Sequence, residues 1–311
     1  MADTLDSKFI ELCSMNYIQE AKQFYSLHTD SIDIHANDEQ AFRCVCEKGH
    51  LDLAKWLYSL DPDNTDIHTC DEYTFCFACA NGHLKVAKWL YSLDPENTNI
   101  HACHEYAFRY ACENGYLDVA KWLYSLDPGN TDIHVYGEYA FRYACENDHL
   151  DVAKWLYSLD PDNTDIHTCD EQAFRWACAN GHLDVAKWLY SLDPENTNIH
   201  TYDEVAFRYA CRKGHFDVAK WLYSLEPENT NIHVYGGYAF RYACQKGHLD
   251  IAKWLIKLSN GVIPPTEHYL YEYYKQLQQS REKYNKYIID QVTSTTRTNT
   301  DVIKRSVTQY V

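Results

Sequence analysis

One short word returns along this chain at a fixed interval. The Lys of Ala-Lys-Trp stands at Lys55, Lys88, Lys121, Lys154, Lys187, Lys220 and Lys253, each 33 residues after the last, and one further step back reaches Lys22 in the weaker AKQFYSL. A constant internal period decides architecture before any single residue does, because each unit packs only on its neighbours and the array grows along one line. The 311 residues, which would otherwise suggest two globular domains, therefore read as one array of eight units. Residues 1–36 form a degenerate capping repeat, residues 37–260 seven full repeats, residues 261–290 a separate helical segment and residues 291–311 a polar tail expected to be disordered.

A single repeat, EYAFRYACENGYLDVAKWLYSLDPGNTDIH at residues 105–134, shows how each unit folds. Phe108, Ala111 and Cys112 recur at i, i+3 and i+4, the face of a first helix, helix A. After it the units place Asn16, Gly49, Gly82, Gly115, Asp148, Gly181, Gly214 and Gly247, residue types that tolerate positive φ and so end a helix. In the second helix, helix B, the polar residues Asp118, Lys121 and Ser125 share a wedge of about 60° and nearly everything else is apolar. A helix so widely apolar has to be covered on several sides, which stacking between two neighbours supplies. The Asp-Pro of LDPGNT stops it, since the residue before a proline avoids the α region.

Ala177, Cys178, Gly181, His182, Leu183, Val185, Ala186, Lys187 and Leu189 fill the pattern A-[AC]-x-x-G-H-L-x-V-[VA]-K-x-L, and this 33-residue helix–turn–helix unit resembles an ankyrin repeat. The wording [EQ]-x-A-F-R-x-A-C-E-N-G-H-L is similar to ankyrin-repeat proteins encoded by large DNA viruses of amoebae. The resemblance implies an all-α helix–turn–helix solenoid of about eight stacked units, with short β-hairpin fingers left open. Two departures bear on the fingers: Tyr-Ala-Phe-Arg stands at residues 106–109 in place of the family's T-P-L-H, and the stretch from Ile133-His134 to the next helix is shorter than a finger hairpin.

The Trp position reads Gln23, Trp56, Trp89, Trp122, Trp155, Trp188, Trp221 and Trp254. Only the first unit is polar there, so the position is expected to face the preceding repeat, which the first unit lacks. Eight cysteines, Cys13, Cys46, Cys79, Cys112, Cys145, Cys178, Cys211 and Cys244, occupy one position of helix A and read as small buried hydrophobes. The Cys76-Phe-Ala-Cys79 motif lacks the βαβ setting of redox sites and the second ligand pair of zinc sites. Two histidine ladders, one in the turn (His50, His83, His149, His182, His215, His248) and one after Ile (His35, His68, His101, His134, His167, His200, His233), read as structural hydrogen-bonding groups. Helices about 8–10 Å apart would hardly let equivalent imidazoles share a zinc with bonds near 2 Å. The ladder of Arg43, Arg109, Arg142, Arg175, Arg208 and Arg241 is expected to bridge to acids of adjacent units.

No phosphate loop, nucleophile elbow or metalloprotease motif is present, and repetition opposes catalysis because an active site needs different groups converging on one point. The expected function is therefore non-catalytic: a protein–protein interaction module binding its partner on the concave face, in the role of a host-directed adaptor, with no cofactor or metal. A structural or self-assembling spacer is the alternative. Binding should lie where repeats differ, and by the resemblance the positions flanking helix A line the concave face. The candidates are Tyr73, Tyr106, Tyr136, Tyr139, Tyr202, Tyr235 and Tyr238, with Glu72, Glu105, Glu138, Glu171 and Glu204 beside them. Tyrosine anchors well because it buries much area with few rotors. The acids point to a protein partner with a basic surface.

The net charge of −17 opposes nucleic-acid binding, and the acid is concentrated in the first 260 residues, which carry 40 Asp/Glu against 21 Lys/Arg. No apolar run approaches the roughly 20 residues of a membrane span, and MADTLDSKFIELCSMNY lacks the basic start and apolar core of a signal peptide. An intracellular, cytoplasmic monomer is expected. Leu270, Tyr273, Tyr274, Leu277, Tyr284, Tyr287 and Ile288 recur at helical spacing, which suits either a helix capping the last repeat or one that docks a second protein.

Overall fold

In the computed structural model, residues 2–259 are described, together with isolated helical positions between 272 and 286. The segment expected to cap or dock, residues 261–290, and the tail 291–311 therefore lie almost wholly outside the described residues. Sixteen α-helices and one 3₁₀ turn (Thr29–Ser31) occur among the described residues, with no strand. They run in pairs: α1 Ala2–Ser14 and α2 Ile18–His28; α3 Ala36–Glu47 and α4 Leu51–Leu60; α5 Thr69–Ala80 and α6 Leu84–Leu93; α7 Ala102–Glu113 and α8 Leu117–Leu126. The series continues with α9 Val135–Glu146 and α10 Leu150–Leu159; α11 Thr168–Asn180 and α12 Leu183–Leu192; α13 Thr201–Lys213 and α14 Phe216–Leu225; α15 Val234–Gln245 and α16 Leu249–Leu258. The odd-numbered helices are helix A and the even-numbered ones helix B. This is the helical repeat solenoid that the period implies.

The described residues divide into two compact bodies, the first reaching to residue 177 and including 184–197, the second holding residues 178–183 and those described from 198 onward. Within each, the core is one motif repeated. Helix A contributes a Phe, an Ala and the ladder Cys, and helix B contributes Val (or Leu, Ile), Ala and Leu; Phe108, Ala111, Cys112, Val119, Ala120 and Leu123 are all at most 3 % exposed. Burying each such Phe or Leu is worth about 1.5–3 kcal/mol. The cysteines pack as expected, and burial pushes the Cys13 thiol up to about 12 and those of Cys112, Cys145 and Cys211 higher still. The Trp of each repeat does face its predecessor: Trp122 sits against Phe75 (6.1 Å) and Tyr91 (6.0 Å), and Trp254 against Phe207 (6.1 Å) and Tyr223 (5.6 Å).

The turn glycine has two reasons to be glycine. Gly115 has φ of 79°, and a Cβ there would fall 2.5 Å from the Nδ1 of His149, whose ring lies across the turn of the preceding repeat. Gly49 and His83, Gly181 and His215, and Gly214 and His248 repeat the arrangement, with Tyr116 taking the same place over Gly82. The turn histidine ladder is thus a stack of rings on backbone.

The β-hairpin fingers left open above are replaced by a left-handed turn. In α5 the residues Cys70, Asp71 and Glu72 have φ of 54°, 56° and 62°, so the right-handed helix starts only after Glu72. The same three positions are left-handed in every repeat from α3 to α15. A left-handed residue with a Cβ costs roughly 1–2 kcal/mol, so the turn has to be held. In four repeats an arginine holds it with two donors. Arg109 donates Nε–H to the His104 carbonyl (2.8 Å) and Nη2–H to the Cys103 carbonyl (3.2 Å), and Arg142, Arg175 and Arg208 do the same in their own repeats. These four arginines therefore serve their own repeat's backbone, because the reversed turn leaves two carbonyls that no helix can satisfy.

Candidate functional site

The surface built from helix A and the left-handed turn is where the repeats differ. Residues four apart on a helix meet side by side, and here both are aromatic. Tyr73 and Phe77 stack with centroids 4.0 Å apart, Phe77 meets Tyr106 of the next repeat at 5.3 Å, Tyr106 meets Tyr110 at 4.3 Å, Tyr110 meets Tyr139 at 5.9 Å and Tyr139 meets Tyr143 at 4.2 Å. Three repeats of the first body thereby carry one row of six half-buried rings. Guanidinium groups lie over it: Arg43 over Tyr73 at 5.0 Å, and Arg109 over Tyr139 at 4.8 Å and Tyr136 at 4.9 Å. Each arginine therefore fastens the turn with one edge and covers a tyrosine with its face.

The phenols are tied as well. Tyr139 donates to Glu113 Oε2 at 2.6 Å and Tyr73 to Glu47 Oε2 at 3.3 Å. Burial and then the Glu113 carboxylate push the Tyr139 phenol far above its usual range, while burial first, with Tyr110 adding, raises Tyr106 to about 12. These rings stay neutral and act as apolar platforms with a polar tip.

The candidate residues sort into three groups. Tyr73, Tyr106 and Tyr139 are brought together in the aromatic row of the first body. Tyr238 occupies the equivalent place in the second, stacked near Tyr242 at 4.2 Å. Tyr136, Tyr202 and Tyr235, in the left-handed turn, are the most open at 55 %, 56 % and 60 % exposed. Tyr235 lies under Arg208 at 4.7 Å and donates to Asp203 Oδ2 at 2.7 Å.

The five glutamates belong elsewhere. Glu72, Glu105, Glu138, Glu171 and Glu204 are only 5–6 % exposed, so the expectation that they face a partner is corrected. Glu105 Oε1 accepts from His101 Nδ1 at 2.7 Å and from the Asp132 amide beyond the following helix B at 3.3 Å, and the far nitrogen of His101 reaches Asp127 at 3.5 Å. Glu39, Glu72, Glu138 and Glu204 make the same pair of bonds. A glutamate at the first positions of a helix reads from sequence as a solvated end, and only the reversed turn folds it inward. The imidazoles respond: burial opposes their charge, but the flanking carboxylates prevail and raise the pKa of His35, His68, His134 and His167. Phe77, Tyr110, Tyr143 and Tyr242 were missed as members of the surface, although their spacing of four from the chosen tyrosines was available.

Nothing in this arrangement aligns a nucleophile with a base. Cys76 and Cys79 are buried and burial raises both thiols, Cys76 to about 12. Among the described residues no helix is long and apolar enough to cross a membrane. What the surface can do is present stacked aromatic area and charged edges to another macromolecule.

Comparison with family models matches ankyrin repeats (3 copies) over residues 41–137, 75–168, 108–203 and 174–264. No curated protein matches the chain. The matched segments run through every full repeat of the array, and the chain belongs to the ankyrin-repeat family.

Proposed function

We propose that the chain is a non-catalytic protein–protein interaction module that engages its partner on the helix A and left-handed-turn side. Ankyrin repeats generally serve this role. The observation that carries the reading is the recurrence of one open tyrosine, Tyr136, Tyr202 or Tyr235, at the same turn position beside an arginine-covered aromatic row. Such rings are held in place before binding, so little rotamer entropy is lost on contact. For the first body the partner has a basic surface, since residues 1–197 carry 34 Asp/Glu against 13 Lys/Arg. The wording shared with amoebal virus proteins makes a host-directed adaptor in the cytoplasm the setting we favour, with the chain acting as a monomer.

The test is affinity capture from cell lysate with mass spectrometry, comparing wild type with a Tyr136→Ala/Tyr202→Ala/Tyr235→Ala variant of matching circular dichroism. A protein held by wild type and lost from the variant supports the reading. Equal capture by both moves binding off this face, and self-association in size-exclusion chromatography with no captured protein favours a spacer.

A further inference from the structure

The last two repeats depart from the charge of the rest. Residues 198–259 carry eight Lys/Arg against six Asp/Glu, in a chain of net charge −17. The added base sits on helix A. Where earlier repeats end that helix with Glu47, Glu113 and Glu146, α13 and α15 carry Arg212 and Gln245; where Asn81, Asn114 and Asn147 follow, Lys213 and Lys246 stand. The acids of the segment lie elsewhere or are engaged. Asp217 and Asp250 open the B helices, Glu226 and Glu228 lie in the linker, Glu204 is buried against His200 and Asp203 accepts from Tyr235.

On this face Arg212 lies over Tyr242 at 4.9 Å and donates to the Tyr238 hydroxyl at 2.9 Å. Arg241 lies over the same two rings, at 5.9 Å from Tyr238 and 5.5 Å from Tyr242. It differs from the other arginines of its ladder. Arg208 in the preceding repeat spends its donors on the carbonyls of Asp203 and Tyr202, whereas among the described residues Arg241 has neither a carbonyl nor a carboxylate acceptor. A half-buried guanidinium lying over rings, with no acceptor for its N–H edge among the described residues, offers a fork for a carboxylate. Lys246, the residue that caps the C-terminal end of α15, is exposed.

We propose that this face of α13 and α15 binds an acidic segment of a partner polypeptide, its carboxylates taken by Arg241 and Arg212, with Lys246 adding attraction. A side chain of Glu or Asp supplies two planar oxygens to match the fork, and an aromatic neighbour can extend the Tyr238–Tyr242 stack. A long polyphosphate chain is a poorer occupant for a protein of this net charge.

The full chain is titrated by fluorescence anisotropy with a labelled peptide of alternating Glu and Tyr, and with the same peptide carrying Lys for Glu. The Glu peptide binds saturably, weakens as salt shortens the Debye length to about 8 Å, and the Lys peptide does not compete. Arg241→Gln and Lys246→Glu each weaken it by roughly tenfold, about 1.4 kcal/mol, while Lys85→Glu on α6 leaves it unchanged. Lys246→Glu alters an exposed side chain, so a loss there cannot be misfolding. Absent binding, or binding indifferent to both substitutions, overturns the proposal. Self-association of the unliganded chain that Lys246→Glu abolishes overturns it too, by making a second copy the occupant. The outcome stands apart from the tyrosine capture experiment, because none of these substitutions touches Tyr136, Tyr202 or Tyr235.

Discussion

At the scale of the residue, the informative positions are those where one repeat breaks the pattern of the others. Thr74 stands where the other full repeats have Ala41, Ala107, Ala140, Ala173, Ala206 and Ala239; it is fully buried and its hydroxyl has no partner. A buried unpaired hydroxyl costs about 1–3 kcal/mol. Thr74→Ala is therefore expected to raise the urea midpoint by the equivalent of about 1 kcal/mol, and a lowered midpoint would show that the methyl's packing outweighs the orphaned oxygen. The turn glycines separate two costs. Gly115→Ala meets both the positive φ and the His149 ring, whereas Gly247→Ala, with nothing within 4 Å among the described residues, meets only φ. We expect about 1 kcal/mol of destabilisation at Gly247 and at least ~2 at Gly115, read from thermal midpoints. Gly237 is a third break. It replaces the buried glutamate, and Ser259 replaces the linker acid, so the eighth repeat lacks the His–Glu–amide bond that earlier ones form.

At the scale of the element, the left-handed turn is the device that makes this repeat its own. It costs conformational energy at three residues and returns an inward glutamate, a bonded imidazole and an open tyrosine. Four histidines of one ladder and three of the other then respond oppositely to pH. His35, His68, His134 and His167 have pKa values raised above 6.5, so their contribution is full below 6.5 and is lost as pH rises through the raised values. His50, His83 and His215 are lowered, chiefly by burial, so theirs is full above 6.5 and is lost as pH falls through the lowered values. His134→Asn should therefore flatten the loss of stability on the alkaline side of 6.5. His83→Tyr, which copies Tyr116, should flatten it on the acid side. Thermal midpoints between pH 5 and 8, the range in which histidine titrates, check both, and a variant that moves the wrong limb would refute the assignment of its ladder. The ladders were legible in the sequence as structural, but their opposite signs were not, because the carboxylates beside one set and the bare backbone beneath the other come from neighbouring repeats.

At the scale of the whole molecule, stability is a sum of repeat and interface terms, so the array should tolerate loss of a unit in register. Deleting residues 102–134 joins His101 to Val135, which restores the Ile-His-Val-Tyr sequence seen at residues 133–136 and 232–235. The shortened chain is expected to keep its helical circular dichroism per residue, with a somewhat lower midpoint; collapse to an unfolded spectrum would mean that the repeats are not interchangeable. Charge is also a property of this scale, and it is uneven: the acidic residues 1–197 and the more basic helix A surface at 208–246 suit different partners.

The period of 33, the glycine turns, the Trp facing backward and the buried cysteines could all be read from the chain alone, because each rests on spacing or on comparison of one repeat with the next. Those properties are local or repeat at fixed separation, and periodicity reports them faithfully. The handedness of the turn at residues such as 70–72 could not be read, since Cys, Asp and Glu carry no signal for three successive left-handed residues. Tertiary structure decided it: Glu72 turns inward to join the His68 imidazole to the Asn99 amide, and in four repeats an arginine's donors add to this. That decision buried the glutamates and exposed Tyr136, Tyr202 and Tyr235.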